Sequence, residues 1–240
     1  MIKKRIKKII LSIIITILLI IIFIFGYTFF RGYSMYKDEI NQISIKDKFS
    51  KIQEKEHFTK IDEVPKIFKD AIISVEDKRF YKHRGIDILS IGRAVITDLK
   101  THDFTEGGST ITQQIAKNEY FTQSKNFYRK VAEIFVARDI EKEYSKDDIL
   151  EIYFNTNFYG SGYYGIYDAA VGYYEKQPSE LTDYEATLLA GVPNAPSVYS
   201  PKVNLYLAEK RQDVVLRKMV EEGYLSEKKM KEIQENQLTK

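Results

Sequence analysis

Ile9 to Phe30 is a run of 22 residues without a single charge. As a helix it would reach about 33 Å, enough to cross a hydrocarbon layer of about 30 Å. A soluble core helix is rarely apolar all round, so the run is predicted to span a membrane. A cleaved leader would have a shorter apolar stretch and a small-residue cleavage site. Here "FFRGYSMYKDE" follows instead, which favours an uncleaved anchor. Lys3, Lys4, Arg5, Lys7 and Lys8 precede the span, and only Arg31 and Lys37 follow it closely. The positive-inside rule then puts residues 1–8 in the cytoplasm and everything after the span outside.

The chain of 240 residues carries 37 basic and 34 acidic side chains. Five of the basic ones lie ahead of the span, so the remainder is near neutral and has no global footprint for nucleic acid. Cysteine is absent, which excludes disulfides and thiolate metal sites. The three histidines, His57, His83 and His102, are far apart, which argues against a histidine-built metal site or a Ser-His-Asp triad.

Residues 31–55 are polar and mixed in charge, and read as a stalk, with a helical form open to it. A body is expected over residues 56–235. Its apolar residues recur at helical spacing, as in "VPKIFKDAIISVED", "DILSIGRAVITDL" and "FYRKVAEIFVARDIEKEY". Ser145 and Thr182 fit helix N-caps, with Asp148 and Glu185 three residues on. Alternating strand patterns are few, so the expected fold is mostly α.

Three segments carry candidate chemistry. In "EGGSTITQQIAKN", Thr110 and Gln113 fit a capping box, and the preceding glycines would leave backbone N–H groups free for an anion. Gln113, Gln114 and Lys117 fall on neighbouring faces of the helix that follows. The ordinary alternative is a capped helix with a solvated face. In "SVEDKRFYKHRG", Glu76 directly follows an apolar run, where lost solvation raises basicity as a general base requires. Asp77 points elsewhere and would orient neighbours. The ordinary alternative is two solvated acids at a helix end. In "RKVAEIFVARD", Glu133 is surrounded by apolar residues, with Arg129 one turn earlier. The ordinary alternative is an exposed helix pair worth a few tenths of a kcal/mol.

Together and in this order, the segments resemble the peptidoglycan glycosyltransferase family. "EDKRFYKHRG" (76–85), "GGSTITQQIAKN" (107–118), "RKVAE" (129–133), "KDDILEIYFNTNFYG" (146–160) and "GIYDAAVGYYEK" (165–176) are similar to its five motifs. Phe154 and Ile166 depart from the common leucine and valine, and neither carries chemistry. The resemblance implies a lysozyme-like helical fold with a small membrane-facing jaw, which would include "GIDILSIGRAVITDL". A core helix is the alternative for that segment. The implied reaction is polymerisation of lipid II onto a growing glycan strand, inverting the donor's anomeric carbon and releasing the lipid pyrophosphate.

The same resemblance implies roles. Glu76 would be the base that takes the acceptor's proton. Glu133 would be a second carboxylate near the donor pyrophosphate, with a place for a divalent metal (Mg or Mn). Lys117, Arg129 and Lys130 would form a cationic clamp, with Lys125 at a position often basic in the family. Asp77, Ser109, Thr110, Gln113 and Gln114 would belong to the substrate-binding wall. Implied partners are the bilayer and other cell-wall synthesis proteins. A lysozyme-like lytic or hydrolytic enzyme acting on finished glycan is the main rival. It would not need the cationic clamp. Ser34–Lys37 and Ser226–Lys229 fit Ser-x-x-Lys, but no Lys-Thr-Gly follows either, so a monofunctional, membrane-anchored form is expected.

Overall fold

The computed structural model describes residues 2–101, 108–121 and 127–237. Twelve α-helices appear among them: α1 (Ile2–Gln42), α2 (Ile45–Gln53), α3 (Lys66–Glu76), α4 (Ile88–Thr101), α5 (Ile111–Tyr120), α6 (Phe127–Glu143), α7 (Lys146–Thr156), α8 (Ile166–Tyr174), α9 (Asp183–Gly191), α10 (Pro196–Tyr199), α11 (Pro201–Glu221) and α12 (Glu227–Glu235). The only strand-like pairing among the described residues is one antiparallel bridge, Phe158 to Tyr164. The mostly α expectation therefore holds.

Local chemistry sets the helix starts. Thr110 with Gln113, Ser145 with Asp148 and Thr182 with Glu185 all close reciprocal capping boxes, at α5, α7 and α9. Each satisfies two backbone donors that a helix start leaves orphaned. Ser226 makes a simpler, one-way cap at α12, accepting from Lys229 N, while the Lys229 ammonium pairs with Asp183 at 2.8 Å. The second Ser-x-x-Lys is thus a helix cap.

The core is built around fully buried Tyr153, Tyr159, Phe49, Phe68, Phe80 and Phe154. Helix α3 packs against α9 and α11, and α5 lies between α6 and α7. Buried Ala132, Val136 and Ala137 give α6 a small-residue face, which lets α5 come close.

The segment 31–55, read as a stalk open to helix, is helical, the end of α1 followed by α2, and it packs on the body where a free stalk would not. Ile45, Phe49 and Ile52 of α2 belong to the core, and burying one such side chain contributes about 1.5–3 kcal/mol. The folded body thus begins before residue 56. Helix α1 runs unbroken for 41 residues, about 60 Å, so it outlasts any bilayer. Its segment from Arg5 to Gln42 is apolar and long enough to cross a membrane, with a mean hydropathy of 3.3 in its most apolar window. Its far end docks along α6. Gly32 makes this approach close, because a Cβ there would stand 2.5 Å from Val131 Cβ. Beside it, Phe29, Tyr33 and Tyr36 surround the Phe135 ring at 5.5, 5.2 and 5.3 Å. The Tyr36 hydroxyl donates to Asp139 at 2.5 Å.

Candidate active site

Glu76 is the last residue of α3. The helix buries Phe68, Ala71, Ile72, Ile73 and Ser74, so its C-terminal end is carried into the body. The Glu76 Oε2 accepts a 2.8 Å hydrogen bond from Gln114 Nε2. Its Oε1 is closed off from solvent and has no protein partner. Desolvation raises the carboxyl pKa, Asp77 adds to that, and Gln114, Arg211 and Lys117 oppose it. The net shift is upward, so the ionised form is a stronger base than an exposed glutamate.

Asp77 braces the wall behind Glu76. Both of its oxygens stand 2.9 Å from His83 Nε2, and Oδ2 accepts from Ile111 N at 3.1 Å. That bond ties the end of α3 to the start of α5. Gly85 completes the joint: its φ is +83°, and an added Cβ would stand 2.9 Å from the Ala137 carbonyl. A glycine fits both constraints at once. The Gly85 carbonyl then accepts from Thr110 Oγ1 at 2.7 Å.

The cationic side is built on α6. Glu133 is 1% exposed, with Arg129 Nε 2.9 Å from Oε1 and Lys130 Nζ 2.8 Å from Oε2. The Lys130 ammonium also donates to Ser109 Oγ at 2.8 Å. Lys117, on α5, has a lowered pKa. Burial is the largest cause, Arg129 and Lys130 add to it, and Glu133 and Glu76 oppose it. Lys117 therefore feels both carboxylates. Lys125 lies outside the described residues.

A divalent metal does not fit Glu133 as arranged. Mg or Mn would need several oxygen ligands, and here one carboxylate has a cation on each oxygen. No cluster of three or more potential metal-ligating side chains exists among the described residues.

A cleft of about 310 Å³ collects these groups. Glu76, Asp77, Ser109, Thr110, Gln114 and Lys117 line it, and the Glu133 cluster adjoins it through Ser109 and Lys130. Gln113 is 1% exposed and closes the α5 capping box, so it builds the wall without facing the cleft. The lining also includes residues the sequence reading missed: Arg93 of α4, Asn194, and Arg211 and Lys218 of α11. Burial lowers the Arg211 pKa and Glu76 is its principal opposing charge. A signal for Arg211 existed. It falls on the stripe of α11 that buries Ala208, Gln212, Val215 and Met219, where a charge is out of place.

The exposed apolar residues of α4 frame one rim. Ile88 is 77% and Leu89 62% exposed, so core packing does not account for them. The arrangement as a whole sets a desolvated carboxylate beside fixed cations, which suits removal of a hydroxyl proton and departure of an anionic group.

Residues 44–220 match the family model described as Transglycosylase. Penicillin-binding protein 1F of Bacillus subtilis (strain 168) is 47% identical over 166 residues, covering 69% of this chain and 23% of that protein. Penicillin-binding protein 1A of Neisseria flavescens is 47% identical over 164 residues, covering 68% of this chain and 21% of that protein. The chain thus spans less than a quarter of the length of these relatives. Among solved structures, penicillin-binding protein 1A from Haemophilus influenzae aligns with a TM-score of 0.44 at 25% identity, over 73% of this chain and 17% of that one.

Proposed function

This chain belongs to the transglycosylase family, and from that premise we propose that it polymerises lipid II into β-1,4-linked peptidoglycan strands, releasing undecaprenyl pyrophosphate. Glu76 takes the proton of the acceptor's 4-hydroxyl as that oxygen attacks the donor's anomeric carbon. Attack from the face opposite the pyrophosphate inverts the configuration. Lys117, Arg129 and Lys130 stabilise the negative charge that grows on the leaving group. Ser109 and Glu133 hold Lys130 in place, and Glu133 also holds Arg129.

The observation that carries this reading is the pairing within one cleft of a desolvated carboxylate, Glu76, with a half-buried cation, Lys117. A lytic enzyme needs the carboxylate but leaves the cations without a task. The membrane helix supports a lipid-linked substrate. Tyr27 and Phe29, near the end of the apolar run, already touch Tyr128 and Phe135 of α6, the helix that carries Glu133. The exposed Ile88 and Leu89 of α4 would meet the bilayer as part of the jaw.

Two measurements test the proposal. Purified protein is given lipid II or finished glycan, and the products are sized. Longer strands from lipid II support it, and shortening of finished glycan without polymerisation contradicts it. For orientation, the basic cluster before the span supports a cytoplasmic N-terminus. A C-terminal alkaline phosphatase fusion is then active, and an inactive fusion with a fluorescent cytoplasmic counterpart reverses the assignment.

A further inference from the structure

We propose that Tyr153 is a positioning residue for Glu76, acting through Gln114. This rests on the reading of Glu76 as the base. The Tyr153 side chain is fully buried on α7, and its hydroxyl donates to Gln114 Oε1 at 3.4 Å. The same amide donates through Nε2 to Glu76 Oε2 at 2.8 Å. The order of donors is fixed by chemistry. An ionised carboxylate only accepts, so the amide must turn its NH2 toward Glu76. That leaves the amide oxygen facing Tyr153, which must donate. Burial and the nearby Glu76 charge raise the Tyr153 pKa, outweighing the side chain of Asn157, which lowers it, so the phenol keeps its proton.

A free glutamine amide would exchange its two ends, and one of them repels a carboxylate. The Tyr153 hydroxyl removes that choice. Glu76 Oε2 is then held, which fixes the direction of the whole carboxylate while Oε1 has no protein partner. The other groups facing Glu76 are Asp77 beside it in the chain, Lys117 from α5, Arg211 from α11 and Tyr159 after α7. The titratable groups of α9, which also packs on α3, are engaged elsewhere: Asp183 with Lys229, Tyr184 with Glu209 and Glu185 with Lys176.

The test compares wild type, Tyr153→Phe, Gln114→Ala and the double variant. Two readouts are taken: the pH dependence of kcat for strand formation from lipid II, and the carbon-13 NMR titration of the Glu76 carboxyl. Losing one hydrogen bond worth about 1 kcal/mol predicts a kcat about 3- to 10-fold lower for Tyr153→Phe on the acid side, with KM little changed. The Glu76 titration moves to higher pH in Tyr153→Phe and further in Gln114→Ala. In the double variant, loss of Tyr153 adds nothing, because its route through Gln114 is already gone. A Glu76 titration unmoved in Tyr153→Phe overturns the proposal, as does a full additive loss in the double variant. A titration that moves while the rate profile stays fixed upholds the positioning role and removes Glu76 as the base.

Discussion

Glu76 combines features that pull against each other. Its carboxylate is desolvated, yet it is held by an amide and faced by Lys117 and Arg211. The net effect raises its pKa, which means that the folded state disfavours its charged form relative to the unfolded chain. The stability consequence has a definite sign. For an acid whose folded pKa is raised, stability is full below the unfolded value, about 4.3, and falls as pH climbs through the folded one. Glu76→Gln removes that penalty. The variant is therefore expected to melt above wild type at pH 7, with the advantage shrinking to nothing near pH 4. A variant that melts lower at pH 7 would mark Glu76 as a structural acid at a helix end. Glu76 and Glu133 were legible in the sequence because each sits against apolar neighbours. Gln113 was legible as a helix cap, but a glutamine that closes a cap and one that meets a substrate look alike in one dimension, so it was also placed on the substrate wall. Arg211 escaped because its partner is supplied from α3, more than a hundred residues earlier.

At the scale of elements, the association of α1 with α6 matters most. One face of α6 meets the membrane helix through Tyr128, Val131 and Phe135, and another presents Arg129, Lys130 and Glu133. Gly32 sets the spacing. Gly32→Val would force side-chain atoms into Val131, and overpacking of this kind costs about 1–3 kcal/mol. For a chain of this size that lowers Tm by about 2–12 °C. Thermal melts of wild type and variant in the same detergent check it, and an unchanged Tm would show that the two helices separate without cost. The capped helices α5, α7 and α9 were readable because their signals are local. Helix α2 was read as stalk although Ser44 caps it and Ile45, Phe49 and Ile52 recur at helical spacing. Its nine residues are mostly polar, and what decides their placement is a distant surface on α7.

At the scale of the whole molecule, the membrane helix, the exposed start of α4 and the cleft belong to one arrangement. The span ends where α6 begins, so a substrate tethered in the bilayer would present its anionic group to the Lys117, Arg129 and Lys130 cluster. The order of motifs along the chain made this site legible as a set, while the lining residues Arg211 and Lys218 came only from the three-dimensional packing of α11 on α3. The central claim is that Glu76 removes the acceptor proton, and general base catalysis is worth about 10²–10⁴ in rate. The most direct measurement is strand formation from lipid II by wild type and Glu76→Gln, each shown to be folded by its melting curve. The account predicts a folded variant whose rate falls by at least about 100-fold. A folded Glu76→Gln protein that polymerises at the wild-type rate would contradict it.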